Sequence, residues 1–336
     1  MPSDLDSLRR HLCFLQDTIR DAVCAAHRTN STTTLAAVAA ETISDTIYQI
    51  DKVSEVTILA WFEQHWPSDE PVELVMEGIE ELGPVTFPKG TPPSATKWKC
   101  IIDPIDGTRG IMYDKRAAWS LAGLAPQRGA DTNVSDIVVA AMTELPTTKQ
   151  WRADQISGIK GCGPTGIVAE KVSVLDGTRQ PLRLEPSRAT DFKHGFASLC
   201  KFFPEGKTLI ASIEEELWGQ IYGLGKVASP FIFDDQYIST GGQFYEIMSG
   251  HDRMIADIRP LVLRKLGYGG SLVCHPYDCC TALLVTELGG IVETERGEPL
   301  HVPLDTVTPV VWIAYANASL ADIVRPVLQQ ICRMKC

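Results

Sequence analysis

The stretch "KCIIDPIDGTRG", residues 99–110, constrains this chain more than any other. Its apolar start, "KCIID", predicts a buried strand that ends on Asp103. Aspartate is a poor strand residue, and paired carboxylates repel each other. Pro104 and Gly107 force a turn that lets Asp103 and Asp106 point into one space. A hard divalent cation relieves that repulsion, because Mg²⁺ prefers carboxylate, carbonyl and water oxygens. The Ile105 carbonyl lies between the two side chains, and Thr108 adds a hydroxyl. Taken alone, D-P-x-D-G reads first as a metal-free turn, with Asp103 in an Asx motif and Gly107 at positive φ.

Other acids repeat the layout. Glu77 closes the strand-like run "VELVM", and Asp278 opens a helical pattern, "DCCTALLVTELGG". A D-x-D-x-T phosphatase forms a phospho-aspartate; the D-x-x-D spacing here argues against that route. Composition narrows the partners. Among 336 residues, Asp and Glu exceed Lys and Arg enough for a formal charge of −11. Such a chain is a poor ligand for nucleic-acid polymers or anionic membranes. No apolar run has the length of a membrane span, and the charged N-terminus lacks a signal-peptide centre, so a cytoplasmic location is expected. The ten cysteines read as thiols. Cys274, His275, Cys279 and Cys280 lack a paired C-x-x-C partner for zinc.

The order of elements predicts a layered mixed fold rather than a Rossmann or barrel pattern. Leu5, Leu8, Leu12, Leu15, Ile19 and Val23 form one helical stripe, capped by Asp4 or Ser3. A second helical region is expected from about Thr34 to Trp66, broken near Ser44–Asp51. "AAWSLAGLA", "DIVVAAMTEL" and "KQWRADQ" read as strands, the last two as a hairpin. "GCGPTG", 161–166, lacks the Lys-Ser/Thr of a nucleotide loop. The composition shift at 181–193 divides the chain into an N-terminal metal-binding part, 1–188, and a part that closes the cleft, 189–336.

Two motifs together carry a resemblance. "CIIDPIDGT", 100–108, and "YDCCTALLVTELGG", 277–290, resemble the two signatures of the inositol monophosphatase superfamily, the lithium-sensitive Mg²⁺-dependent phosphatases. Tyr277 stands where Trp is usual. The resemblance implies an αβαβα sandwich of the sugar-phosphatase type and hydrolysis of a small phosphomonoester. It implies two or three Mg²⁺ ions: Asp103 bridging two of them, the Ile105 carbonyl and Glu77 on one, Asp106 and Asp278 on the other. A third, weaker ion near Glu77 would generate the nucleophile. Glu80 competes with Glu77, and Glu81 is a more distant choice. Thr108 matches a threonine that orients the attacking water, and Asp51 matches its supporting aspartate. Backbone N–H groups of Gly107 and Thr108 are expected to face phosphate, with Asp106 and Asp278 nearby.

Substrate identity is less constrained. "STGGQF", 239–244, departs from the inositol-phosphatase pattern, with Gly242 and Gln243 as expected substrate contacts, and Asp257 takes the place of an acid that bonds substrate hydroxyls. Arg109, Lys115 and Arg116 are candidates for gripping a second phosphate. Sugar bisphosphates and 3′-phosphoadenosine nucleotides are the alternative substrates, and a metal-binding regulatory protein on the same fold is the non-enzyme alternative. Dimers are frequent in the family, but no interface is read from the sequence.

Overall fold

The computed structural model describes residues 4–41, 46–79, 82–223, 225, 231–269 and 272–336. Asp4 caps α1 (Leu5–Thr29), its side chain accepting from the Asp6 N–H at 3.1 Å. Ser3, the other candidate cap, lies outside the described residues. The expected stripe is the buried face: Leu8, Leu12, Leu15, Ile19 and Val23 are all inaccessible. Gln16 on the same face donates to the carbonyls of Ser120 and Ala141, so its buried amide is satisfied.

The second helical region differs from expectation. A single turn, α2 (Thr32–Leu35), is followed by strands β1 (Val38–Glu41) and β2 (Thr46–Tyr48), and only then by α3 (Gln49–His65). Thr32–Thr34 make that single turn despite their β-branching, and at Val38–Glu41 pairing with β2 overrides the helical propensity of two alanines. The break expected at 44–51 falls partly outside the described residues.

The first sheet comprises β3 (Val72–Met76), β4 (Val85–Phe87), β5 (Trp98–Asp106), β6 (Ala118–Pro126), β7 (Val139–Leu145), β8 (Arg152–Ile159), β9 (Val168–Ser173) and β10 (Arg179–Pro181), with α4 (Thr108–Ile111) after β5. Its order is β10-β9-β8-β7-β6-β5-β3-β4. Only β3 and β5 pair in parallel. β7 and β8 form the expected hairpin.

The second half holds β11 (Gly195–Leu199), α5 (Lys207–Tyr222), β12 (Ile232–Phe233), α6 (Thr240–Met248), β13 (Asp252–Asp257), α7 (Arg259–Leu266), α8 (Ala282–Glu287), β14 (Ile291–Glu293), β15 (Trp312–Tyr315) and α9 (Ala318–Lys335). Its five-stranded sheet runs β12-β11-β13-β15-β14, again mixed. The sheets divide between Pro181 and Gly195, yet one hydrophobic cluster runs from Ile101, Leu121 and Ile156 through Phe244 to Trp312.

α1 and α3 cover one face of the large sheet. α6 and α8 fill the space between the sheets, and α5, α7 and α9 pack about the second sheet. This is an αβαβα sandwich. β6 and most of β7 are buried on both faces, which explains their near-continuous apolar runs.

The helix expected from Asp278 starts later. Residues 276–281 form turns, and α8 begins at Ala282. This turn segment docks on β6 at Gly123, where an added Cβ would meet Ile137 Cδ1 at 2.7 Å and the Cys280 carbonyl at 3.1 Å. Gly123→Ala therefore overpacks a contact that seats the Asp278 segment. It should destabilise the fold by about 1–3 kcal/mol in urea unfolding, and an unchanged midpoint would show that the contact relaxes freely.

Candidate active site

Strand parity explains how the two aspartates meet. Residues three apart on a regular strand face opposite sides. Here Asp103 pairs with Leu121 and Asp106 with Trp119, so three steps of β5 span two of β6. The extra residue is a bulge, and it returns Asp106 to the side of Asp103. Pro104 fits inside it because a bulge has no need of every ladder N–H. Gly107 follows at φ +99°, where an added Cβ would lie 3.0 Å from the Ile238 carbonyl.

One oxygen each from Asp103, Asp106 and Asp278 lies within 4.8 Å of the others, though these residues come from β5 and from a turn far along the chain. Among the described residues this is the only His/Cys/Asp/Glu group with such convergence. Glu77 follows β3, whose Met76 pairs with Ile102, so it emerges beside Asp103. It lines the same cleft, and its carboxylate accepts from the Tyr277 hydroxyl at 3.4 Å. Glu80 and Glu81 lie outside the described residues.

The carboxylates are held differently. Asp106 sits at the N-terminus of α6, where the helix dipole favours negative charge. Its Oδ2 accepts from the Ser239 hydroxyl at 2.8 Å and the Gly241 N–H at 2.5 Å, and its Oδ1 from the Thr240 N–H at 3.2 Å. Burial still pushes it up to about 6. Among the described residues Asp103 accepts only the Ile105 N–H, at 3.0 Å. Burial, then the charges of Asp106, Asp278 and Glu77, hold its carboxyl far above the ordinary range. Asp278 accepts from the His275 N–H at 2.5 Å, and His275 stacks on Tyr277. Clustered, desolvated carboxylates beside a peptide carbonyl form an all-oxygen donor set, which fits a hard divalent cation.

Thr108 opens α4 with its hydroxyl 3.0 Å from Asp51 Oδ1 and 2.8 Å from the Ile105 carbonyl, both acceptors. Asp51, in the first turn of α3, also accepts the Tyr48 N–H at 2.7 Å.

Three expected contacts lie away from the cleft wall. Gln243 is buried and donates to Cys200 Sγ at 3.1 Å and the Tyr237 carbonyl at 2.9 Å. Gly242 packs against the Tyr237 ring and donates to Ser239 Oγ at 2.9 Å. Helix α6 turns both inward because its N-terminus is committed to Asp106. Asp257 is buried in an ion pair with Arg259. Arg116 binds Asp235 and lies over Tyr237, while Arg109 does line the cleft. Sequence reasoning missed Arg259, the aromatic pair Phe202–Phe203, and the role of Ser239–Gly241 in holding Asp106; the Asp-x-Arg spacing at a strand end is the signal that was there to read.

Two other motifs resolve structurally. The N–H groups of Gly161 and Gly163 donate to the Glu287 carboxylate at 2.8 and 2.6 Å, so the glycine-rich turn already holds an anion. Burial pushes the Cys274 and Cys280 thiols up, which makes them inert. No described helix is long and apolar enough to cross a membrane.

No protein-family model matches this sequence, and no curated protein matches it. Solved structures do match over nearly its whole length. The Leishmania major fructose-1,6-bisphosphatase superposes with TM-score 0.63 at 13% identity, covering 97% of this chain and 92% of its own. The extragenic suppressor protein suhB of Bartonella henselae gives 0.62 at 13%, covering 98% and 100%. A Toxoplasma gondii protein assigned as a sedoheptulose-1,7 bisphosphatase gives 0.68 at 12%, covering 98% and 96%. All three share the fold that the two sequence motifs imply. The chain has the layered sandwich fold of these structures.

The raised carboxyls link cation binding to pH. In the fold Asp106 titrates at about 6, against 3.8 ordinarily, so between those values the folded state holds more protons and stability falls as pH rises. A divalent cation binds the deprotonated form and reverses that loss. The rise in melting temperature produced by saturating Mg²⁺ should be larger at about pH 7.5 than at about pH 5. Equal rises at both would show that the cation binds elsewhere.

Proposed function

We propose that this protein is a Mg²⁺-dependent phosphatase that hydrolyses a small sugar phosphate by in-line attack of water. The observation that carries this is the convergence of Asp103, Asp106 and Asp278 beside the Thr108–Asp51 pair. Asp103, Asp106, Asp278, Glu77 and the Ile105 carbonyl are the groups that would hold the metal. Bound there, magnesium would supply acidification of a coordinated water and neutralisation of phosphate charge.

The side chains themselves define the rest. A threonine hydroxyl has one hydrogen. Thr108 gives its hydrogen to Asp51 or to the Ile105 carbonyl, so toward any third group it can only accept. It therefore takes a hydrogen bond from the attacking water and turns that water's lone pair toward phosphorus. Asp51 fixes this polarity from α3. The Gly107–Thr108 backbone, at the entrance to α4, lies where phosphate oxygens would rest.

The clearest test is Asp278→Asn. Asp106→Asn is a poorer choice, because both Asp106 oxygens accept hydrogen bonds and an amide would set a donor against a donor. At Asp278 the amide oxygen can keep the His275 N–H. Asp278→Asn should reduce Mg²⁺-dependent phosphate release by roughly 10³-fold while the melting temperature of the metal-free protein stays near that of wild type. Unreduced turnover would remove the site. Thr108→Val should lower kcat by about 10²-fold with little change in KM, since the hydroxyl acts on water; a change confined to KM would refute that role.

A further inference from the structure

Cys332 and Cys336 stand one turn apart at the end of α9, and the Cys336 N–H donates to the Cys332 carbonyl at 2.8 Å. Residues four apart share a helix face. Both cysteines line one surface groove of about 500 Å³, set between α7, α9 and the turn after β14. Cys332 is buried and Cys336 half-buried. The two thiols touch, Cys332 donating its hydrogen to the Cys336 sulfur. That contact, with the charges of Lys265 and Lys335, outweighs burial and brings Cys336 down to about 7. Donation to Cys336, then burial, holds the Cys332 thiol far above its ordinary range. The pair is therefore unequal: one sulfur keeps its proton and the other gives it up.

The surroundings favour an anion at Cys336 against one local opponent. Cys336 closes α9, where the helix dipole disfavours negative charge. Lys265 on α7, Arg333 and Lys335 on α9 and Arg296 after β14 are the cations about the groove. Two acids accompany them: Glu295, 3.5 Å from Arg296, and Glu216 of α5, 2.8 Å from Lys335. Helix geometry then decides what a thiolate here can form. Side chains four apart hold their Cβ atoms about 5–6 Å apart, whereas a disulfide needs about 3.5–4.5 Å. Cys332 is thus badly placed to close an intrachain bridge while α9 is intact. A sulfur arriving from solvent has no such restriction.

We propose that Cys336 is a site of S-thiolation by a small acidic disulfide of the glutathione type, with the Cys332 thiol positioning its sulfur. The Cys336 thiolate attacks one sulfur of that disulfide. A mixed disulfide forms, the original sulfur–sulfur bond breaks, and the released thiolate takes the bonding pair and then a proton from water. Each half of glutathione disulfide carries two carboxylates and one ammonium, which match Arg296, Arg333 and Glu295 in the groove. The groove shares no residue with the acidic cleft, so this site stands apart from the phosphatase reading.

The test mixes the reduced protein with glutathione disulfide and locates the adduct by peptide mass spectrometry. Wild type should gain one glutathione on Cys336 before any other cysteine reacts, the exposed Cys162 included. The rate should level off with rising pH about a midpoint of about 7. Cationic cystamine should react at least about threefold more slowly than glutathione disulfide, each rate taken relative to that with 2-mercaptoethanol. Cys332→Ala should move the midpoint toward about 8.5, while Cys332→Ser, which keeps a donor hydrogen, should hold it nearer the wild-type value. No adduct, first labelling elsewhere, a stable Cys332–Cys336 disulfide, a midpoint unmoved in Cys332→Ala, or equal relative rates with the two disulfides would each overturn the proposal. If Cys332→Ala fails to fold by circular dichroism, the labelled site and midpoint of wild type decide, and a wild-type midpoint at or above about 8.5 overturns it.

Discussion

Mutual repulsion among buried carboxylates is the constraint around which this structure is organised. Asp103, Asp106 and Asp278 lie close together in a desolvated cleft, with Glu77 on the same wall. Left alone, such a group opposes folding, because each acid must take up a proton or face its neighbours' charge. The fold answers unequally. Asp106 receives three donors and a helix N-terminus, whereas Asp103 receives one N–H. Asp103 is therefore the carboxylate whose neighbours' charges are least offset by hydrogen bonds.

The donors to Asp106 all come from the second half of the chain. Ser239 works in two directions, donating to Asp106 and accepting from Gly242 to cap α6. The Asp106 end of β5 is thereby tied to the helix layer between the sheets. The shared hydrophobic cluster makes the same connection through packing. The cleft is consequently a property of the assembled sandwich, and neither half carries it alone.

The sequence made the acids legible because their chemistry is local: an apolar strand, a proline, a glycine and a second acid within a few residues. The layered fold was legible in its alternating helical and strand-like runs. Parity was not. Nothing in "DPID" announces that one bulged residue restores both side chains to one face; that depends on the register with β6. Gln243 and Gly242 were placed in the cleft by their position in a segment, but a helix only nine residues long has little freedom once its first N–H groups are committed to Asp106. The hairpin β1–β2 was hidden for a different reason: β1 holds two alanines and a glutamate, which read as helix until pairing with β2 overrides them.

An acidic protein that binds an anion must separate its charges in space. The net charge of −11 opposes any phosphate at long range, though screening limits that effect to about 8–10 Å in physiological salt. Local fields decide the rest. The cleft is lined by Glu77, Asp103, Asp106 and Asp278 and also by Arg109 and Arg259, the two arginines set against aromatic rings. Asp257 reduces the net charge of Arg259, so the arginine contributes less to attraction than to geometry.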